Sequence, residues 1–235
     1  MSLLLNIDTA TEQASVCVSN DEEILAIEHN TEPINHATFI QSAIRLLLST
    51  TNYQLASLCA IAVSAGPGSY TGLRVGLSTV KGLCYALNKP LILINTLEVM
   101  ALAAIQHYQS TNQPINQSTL FRPMIDARRM EVFTALYDGK LNIINSPEAI
   151  ILHENIFDEE LKYHTIIFAG SGSKKASSLI KHSNIICSPV IHNASHLVPL
   201  ALRAYNAKDF ADLAYCEPFY LKTFYNTQTQ SFNKE

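Results

Sequence analysis

Nowhere in the 235-residue sequence do about eighteen apolar residues follow one another, so no membrane-spanning helix is expected. The start, Met1-Ser2-Leu3-Leu4-Leu5-Asn6, lacks a basic region and has only a short apolar run, which reads as an unexported chain. Charge is scarce: 15% of residues are charged, and 16 Lys plus Arg against 20 Asp plus Glu give a net charge of -4. With no basic cluster, unaided binding to nucleic acid is not expected, and a nucleic-acid role would need a partner. C-x-x-C spacing is also missing. The five cysteines, Cys17, Cys59, Cys84, Cys187 and Cys216, are odd in number and mostly lie in apolar runs, as buried free thiols of a reducing cytosol do. The expectation is a cytoplasmic globular protein, with enough apolar residues, 48%, for one large domain or two modest ones.

What is present is a concentrated glycine turn. Ser64-Ala65-Gly66-Pro67-Gly68-Ser69-Tyr70-Thr71-Gly72-Leu73-Arg74-Val75-Gly76 follows the apolar run Cys59 to Val63 and opens a helical pattern ending near Asn88. Gly66 and Gly68 allow positive φ, Pro67 fixes one φ between them, and the first N–H groups of the helix point into the bend. Such a place suits an anion or a tightly packed neighbour. The loop lacks the lysine of a P-loop, and Gly66, Gly68 and Gly72 miss the dinucleotide-binding spacing by one residue. A ligand loop and a turn whose glycines only permit close packing both stay open.

Leu3 to Asp8 reads as a buried strand, Ala14 to Ser19 as its hairpin partner and Glu23 to His29 as a third strand. A helix is expected from Asn35 to about Asn52. Its apolar positions Phe39, Ile40, Ala43, Ile44, Leu46, Leu47 and Leu48 spread too widely for one stripe, which implies two covered faces. The strand into the glycine loop, a helix Tyr70 to Asn88, a strand Leu91 to Asn95 and a helix Thr96 to about Gln109, capped by Asn95 or Thr96, follow. The polar stretch 110–119 marks a boundary or a long surface loop. Strands are then expected at Leu120 to Ile125, Glu131 to Tyr137, Lys140 to Asn145, Thr165 to Phe168 and Ile185 to Ser188. Helices are expected around Asn155 to Tyr163, after the turn Gly170-Ser171-Gly172, and from Ser195 to Asn206. Cys216 to Glu235 reads as extended, with a loose polar end.

The two halves resemble each other. Asn6-Ile7-Asp8 leads into Ser15-Val16-Cys17-Val18 as Met124-Ile125-Asp126 leads into Val132-Phe133-Thr134-Ala135-Leu136, and each half then runs through a third strand and a helix to a strand ending in a glycine turn. The expected fold class is α/β, a two-domain actin-like or hexokinase-like (ASKHA) fold with pseudo-twofold related domains. Residues 1–109 form the first domain, with the glycine loop, and residues 110–235 the second, with the late helix 195–206 packing back on the first. A nucleotide between such domains would lie near Gly66, Pro67, Gly68, Ser69, Tyr70, Asp8, Asp126, Gly170 and Gly172.

Asp8-Thr9-Ala10-Thr11, the run Gly66 to Gly76, Asp126-Ala127-Arg128 with Glu131-Val132, Gly170-Ser171-Gly172 and Glu217-Pro218-Phe219-Tyr220-Leu221-Lys222 stand in the order seen in one family. The sequence resembles the TsaB (YeaZ) family of bacterial threonylcarbamoyladenosine synthesis on tRNA. The resemblance implies a non-catalytic subunit that dimerises with a paralogous TsaD-type transferase. A TsaE-type ATPase helps that complex modify the adenosine beside the anticodon of tRNAs reading codons that begin with A. It also implies no cofactor on this chain alone, and leaves ATP or ADP with Mg2+ to the assembled complex.

Two departures separate the chain from the transferase it resembles. Where that relative has two metal-binding histidines in a run like N-H-x-x-G-H, this sequence reads Asn95-Thr96-Leu97-Glu98-Val99-Met100, whose side chains cannot replace imidazoles. The first hairpin, Asp8-Thr9-Ala10-Thr11, has no glycine to bring backbone N–H groups to a phosphate, so a degenerate nucleotide cleft is expected. The alternative is an ATP-dependent transferase or phosphotransferase acting through its own cleft, with the glycine turns on phosphate and Asp8 or Asp126 on metal.

Other candidates have plain readings. His192 and His196 have the H-x-x-x-H spacing, but cap-type Asn193 and Ser195 put His192 before its helix and no third ligand is evident, so two surface histidines and no metal site are expected. Asp126, Arg128, Arg129 and Glu131 read as an ion-paired, solvated hairpin turn. Ser64 and Ser69 have no sequence-identifiable His or Asp partner, and Gly170-Ser171-Gly172 is only a truncated nucleophile motif. No catalytic residue is assigned. A partner face is expected on the first two helices, at Phe39, Ile40, Ala43, Leu47, Gly72, Leu73, Arg74, Gly76 and Val80. Gly72 and Gly76 would let a helix come close, and without its partner the chain would form a homodimer.

Overall fold

The structure is a computed structural model and describes residues 1–30 and 36–222. The expected helix start at Asn35 and the polar end beyond Lys222 lie outside the described residues. Strands β1 (Leu3–Asp8), β2 (Ser15–Asn20) and β3 (Glu23–His29) make an antiparallel meander. Parallel strands β4 (Ala60–Gly66) and β5 (Leu91–Asn95) extend it from β1, giving the order β3-β2-β1-β4-β5. The second sheet repeats the pattern with β6 (Thr119–Asp126), β7 (Glu131–Asp138), β8 (Ile143–Ile151), β9 (Thr165–Ala169) and β10 (Ile185–Cys187), in the order β8-β7-β6-β9-β10 with the same strand senses. Two copies of one connectivity, each with a central strand ending in aspartate, make this the actin-like α/β fold that the sequence repeat implies.

Alternation along β1 divides the first core. Leu3, Leu5 and Ile7 face α1 (His36–Thr50) and α2 (Tyr70–Leu87), while Leu4 faces α3 (Thr96–Ser110) and α6 (Val198–Ala207) through Val99, Leu200 and Ala201. On α1 the buried residues Ile40, Ala43, Ile44, Leu47 and Leu48 form one stripe, which corrects the expectation of two covered faces. The helix covered on two sides is α3. Its Val99 packs on the first sheet, while Leu97, Met100 and Ala101 meet Ile125, Ala135 and Tyr137 of the second, and Ala104 and Ile105 meet Phe121 and Ile167. Each such large apolar side chain contributes about 1.5–3 kcal/mol on burial, so α3 holds the two sheets together.

The helix expected from Ser195 begins at Val198, and two further elements differ from expectation. Asp138 accepts hydrogen bonds from Lys140 N at 2.8 Å and Asn142 N at 2.9 Å, which extends the turn and delays β8 to Ile143. Pro147 is tolerated inside β8 because that strand is the sheet edge. The helix expected around Asn155 to Tyr163 shortens to the single turn α4 (Asp158–Leu161), since β9 begins at Thr165. α5 (Ser173–Leu179) follows the second glycine turn. Among the described residues no helix is long and apolar enough to cross a membrane.

Candidate functional site

β4 brings the glycine loop to the end of the first sheet, where the β1–β2 turn already stands. Gly66 has φ +115°, and a Cβ there would lie 2.5 Å from the Phe219 carbonyl oxygen, so only glycine fits under the chain that crosses it. Phe219 N donates to Ala65 O at 2.7 Å. Pro67 is buried and Gly68 half-buried. Ser69 caps α2, its Oγ accepting from Gly72 N at 3.3 Å, while its own N–H donates to Ala10 O at 2.7 Å. Thr9 Oγ1 donates to Gly72 O at 2.8 Å. A Cβ on Gly68, Gly72 or Gly76 would collide with Thr9 or Ala10. The loop packs closely, and what it packs against is the chain's own hairpin turn.

That geometry corrects the expected partner face. Ile40, Ala43, Leu47, Gly72, Leu73, Gly76 and Val80 are buried within this chain, and Phe39 is half-buried against the same core. Gly72 and Gly76 admit the Thr9 turn and not a partner helix. Arg74 alone of that set is exposed; its guanidinium lies 4.3 Å above the Tyr70 ring and its Nε donates to Tyr220 Oη at 3.2 Å. The large exposed apolar residues of these helices are Leu46, 50% exposed, Tyr85, 82% exposed, and Tyr70, 38% exposed. Gly82 also faces open space. Periodicity had placed Leu46 in the helix, but neither Tyr85 nor Gly82 carried a signal in the sequence.

Asp8 ends β1 fully buried. Its Oδ1 accepts from Ser64 Oγ at 2.6 Å and from Ala10 N at 3.0 Å. Its Oδ2 lies 3.2 Å from Nε2 of His192, a ring only 5% exposed. Neither of these two atoms makes a regular hydrogen bond. Burial pushes the Asp8 pKa up, but the His192 ring, the Ser64 hydroxyl and the Ala10 N–H outweigh it and hold the carboxyl below its ordinary value. His192 is therefore no surface residue. Ala194 N donates to Ser15 Oγ at 2.8 Å and Asn193 caps the short turn 194–197, which together pull the preceding residue over Asp8. His196 turns away to accept from Asn193 N at 3.1 Å, and burial leads the lowering of its pKa. Ser64 thus has neighbours that the sequence did not reveal. The carboxylate stands between hydroxyl and imidazole, however, so the ring is not placed to take the serine proton.

The second hairpin is built differently. Asp126 ends β6, its N–H bonded to Ser171 Oγ at 3.0 Å, and its Oδ1 accepts from Arg128 N at 2.7 Å and Lys175 Nζ at 2.6 Å. The Lys175 hydrogen bond does most to hold its pKa below the ordinary value. Lys222 Nζ reaches Glu131 Oε2 at 2.6 Å, so the segment 217–222 runs from the first glycine loop to this hairpin. Arg128 and Arg129 have positive φ and shape the turn, while the acidic residues take their cations from elsewhere. Gly170, with φ +87°, and Gly172 pack against Met124, and Gly172 N donates to Met124 O at 3.0 Å. Of the cysteines, Cys17 and Cys84 are buried, their thiols pushed up to about 12 and about 11, whereas Cys187 is exposed, contrary to expectation. Among the described residues no three His, Cys, Asp or Glu side chains are grouped to hold a metal ion.

Known proteins are similar to this chain in sequence and fold. Residues 30–218 match the family model described as TsaD: tRNA N6-adenosine threonylcarbamoyltransferase. The chain is 29% identical over 229 residues to the tRNA threonylcarbamoyladenosine biosynthesis protein TsaB of Escherichia coli (strain K12), covering 93% of this chain and 94% of the relative. A solved structure from Pseudomonas aeruginosa, described as an uncharacterized protein with similarity to peptidase YEAZ, superposes with a TM-score of 0.80 at 25% identity, over 94% of this chain and 100% of the other. A second, described as YeaZ from Pseudomonas aeruginosa, superposes with a TM-score of 0.75 at 25% identity and the same coverage. The chain belongs to the TsaD-type tRNA N6-adenosine threonylcarbamoyltransferase family and, within it, to the TsaB (YeaZ) members.

Proposed function

We propose that this chain is a non-catalytic cytoplasmic subunit. In this reading it binds a TsaD-type transferase through the outer sides of α1 and α2 and, with a TsaE-type ATPase, supports formation of N6-threonylcarbamoyladenosine on tRNA. A role in tRNA threonylcarbamoyladenosine biosynthesis follows from membership among the TsaB proteins, which are named for it. Residues 1–109 and 110–235 are its two domains. The observation that carries the non-catalytic reading lies at the start of α3, where the transferase resemblance calls for a histidine pair. Asn95 caps the helix by accepting from Leu97 N at 2.9 Å, Thr96 Oγ1 accepts from Gly66 N at 3.1 Å, and Leu97 and Met100 are buried against the second sheet. These side chains hold the helix in place and offer no imidazole to a metal that would polarise a substrate oxygen.

With a net charge of -4, the chain meets tRNA through the complex and not by itself. The partner surface is the strip left after the core is accounted for: Leu46 and Tyr85, with Phe39 and Arg74 beside them. Aromatic and arginine side chains of this kind serve as interface anchors, and the same strip would pair two copies when the transferase is absent. Threonylcarbamoyl transfer reconstituted from cognate transferase and ATPase tests the reading, with and without this chain and with Leu46→Glu and Tyr85→Glu. The expected result is a chain inert alone that restores transfer, and variants that fold normally yet lose transferase binding at least about tenfold. Transfer by the chain alone, or normal binding by both variants, overturns it. Ile40→Glu makes a poor probe because it puts a charge into the core.

A further inference from the structure

The second hairpin turn holds two arginines where the backbone disfavours them. Arg128 and Arg129 follow one another with φ +66° and +42°, in the left-handed region that glycine and asparagine enter most cheaply. The turn is closed without their side chains. Asp126 Oδ1 accepts from Arg128 N, Ala127 N donates to Glu131 O, and Glu131 N donates to Arg128 O and Arg129 O. Both arginines are exposed, and among the described residues neither guanidinium has an ion pair, a hydrogen bond or a ring partner. The carboxylates beside them are already taken, Asp126 by Lys175 and Glu131 by Lys222. Four cations thus meet two carboxylates at this turn, a local excess of positive charge in a chain whose net charge is -4.

We propose that Arg128 and Arg129 form a contact for the phosphodiester backbone of RNA, used when the transferase complex holds its tRNA. The proposal rests on the function proposed above and gives it a surface on the second sheet, not on α1 or α2. A guanidinium presents a planar fork of N–H donors that meets two phosphate oxygens at once and keeps its charge at any physiological pH. Two unpaired forks side by side suit a run of phosphates, and a nucleic-acid strand carries one charge about every 3.4 Å. Such contacts position the nucleic acid without reading its sequence, so the turn needs no base-specific groups. Lys175 from α5 and Lys222 from the segment 217–222 brace the turn beneath them. Two contacts are too few to hold RNA alone and add to those of the partner.

The test is titration of fluorescently labelled tRNA with the complex of this chain and its cognate transferase, followed by anisotropy over a range of salt concentrations. Wild type is compared with Arg128→Asn/Arg129→Gly, which removes both guanidiniums and supplies residues at ease with positive φ, and with Arg128→Lys/Arg129→Lys, which keeps the charge. For Arg128→Asn/Arg129→Gly the expected result is a melting temperature no lower than wild type and unchanged transferase binding. Its tRNA affinity falls about tenfold at low salt, and its log–log salt dependence becomes shallower by about 1–2. The lysine variant keeps the salt dependence of wild type. A complex that assembles with Arg128→Asn/Arg129→Gly and binds tRNA as wild type does overturns this proposal alone. Failure of the wild-type chain to assemble with the transferase overturns the proposed function and this proposal with it. Loss of transferase or ATPase binding in that variant, with tRNA affinity intact, assigns the turn to an acidic protein surface and overturns the proposal as well.

Discussion

Asp8 and Asp126 end equivalent strands of two sheets with one connectivity, and each opens a hairpin. Asp8 is sealed under its glycine loop and lies against a ring delivered by residues just before α6, while Asp126 is half in water and is met by a lysine from the neighbouring helix. The same topological position has thus become a buried charge in one half and a surface ion pair in the other. Burial raises the stakes, because a carboxylate without water must keep every partner that the chain supplies.

The largest break in this comparison comes from removing His192. His192→Ala leaves the buried Asp8 carboxylate with only Ser64 and Ala10 as partners and is expected to cost about 3 kcal/mol in urea unfolding. Acid acts on the same pair. Because the folded pKa of Asp8 lies below its unfolded value, its contribution is present above about pH 4 and is lost as the pH falls through the folded value. An Asp8→Asn chain should therefore show a flatter acid limb of stability against pH.

A smaller effect sharpens the contrast at the turn itself. Ala favours a helix over Gly by about 1 kcal/mol, yet Gly76→Ala is expected to destabilise by about 1–3 kcal/mol because the new methyl meets Thr9 Oγ1. In a Thr9→Ala background the same change should become neutral or stabilising, and a double-mutant cycle measured by thermal unfolding reads the difference. The smallest effect belongs to the solvated hairpin. Lys175→Ala should cost no more than about 1 kcal/mol and fade with added salt, since Asp126 remains hydrated.

Much of this was readable from local pattern. Strands such as Glu23–His29 and Leu91–Asn95, the Asn95 cap and the duplicated strand-turn order follow from alternation, cap residues and repeat spacing. What was hidden depends on distant neighbours. An apolar count could not tell α1, covered once, from α3, covered twice, because periodicity records which residues are apolar and not what covers them. His192 looked exposed because cap residues surround it, and its partner lies at the other end of the sequence. Gly72 and Gly76 announced a close approach correctly, but a spacing of four does not say whether the approaching backbone belongs to a partner or to the same chain.

The position of α3 also bears on how the protein yields to cutting. A protease acting in the exposed stretch 111–118 would sever the two halves of the sequence, yet Leu97, Met100, Ala104 and Ile105 would still grip the second sheet from the first fragment. The nicked molecule would migrate as two pieces under denaturing conditions and as one particle in native buffer. Expressed alone, a fragment ending after α3 would instead present that sticky flank to its neighbours and aggregate.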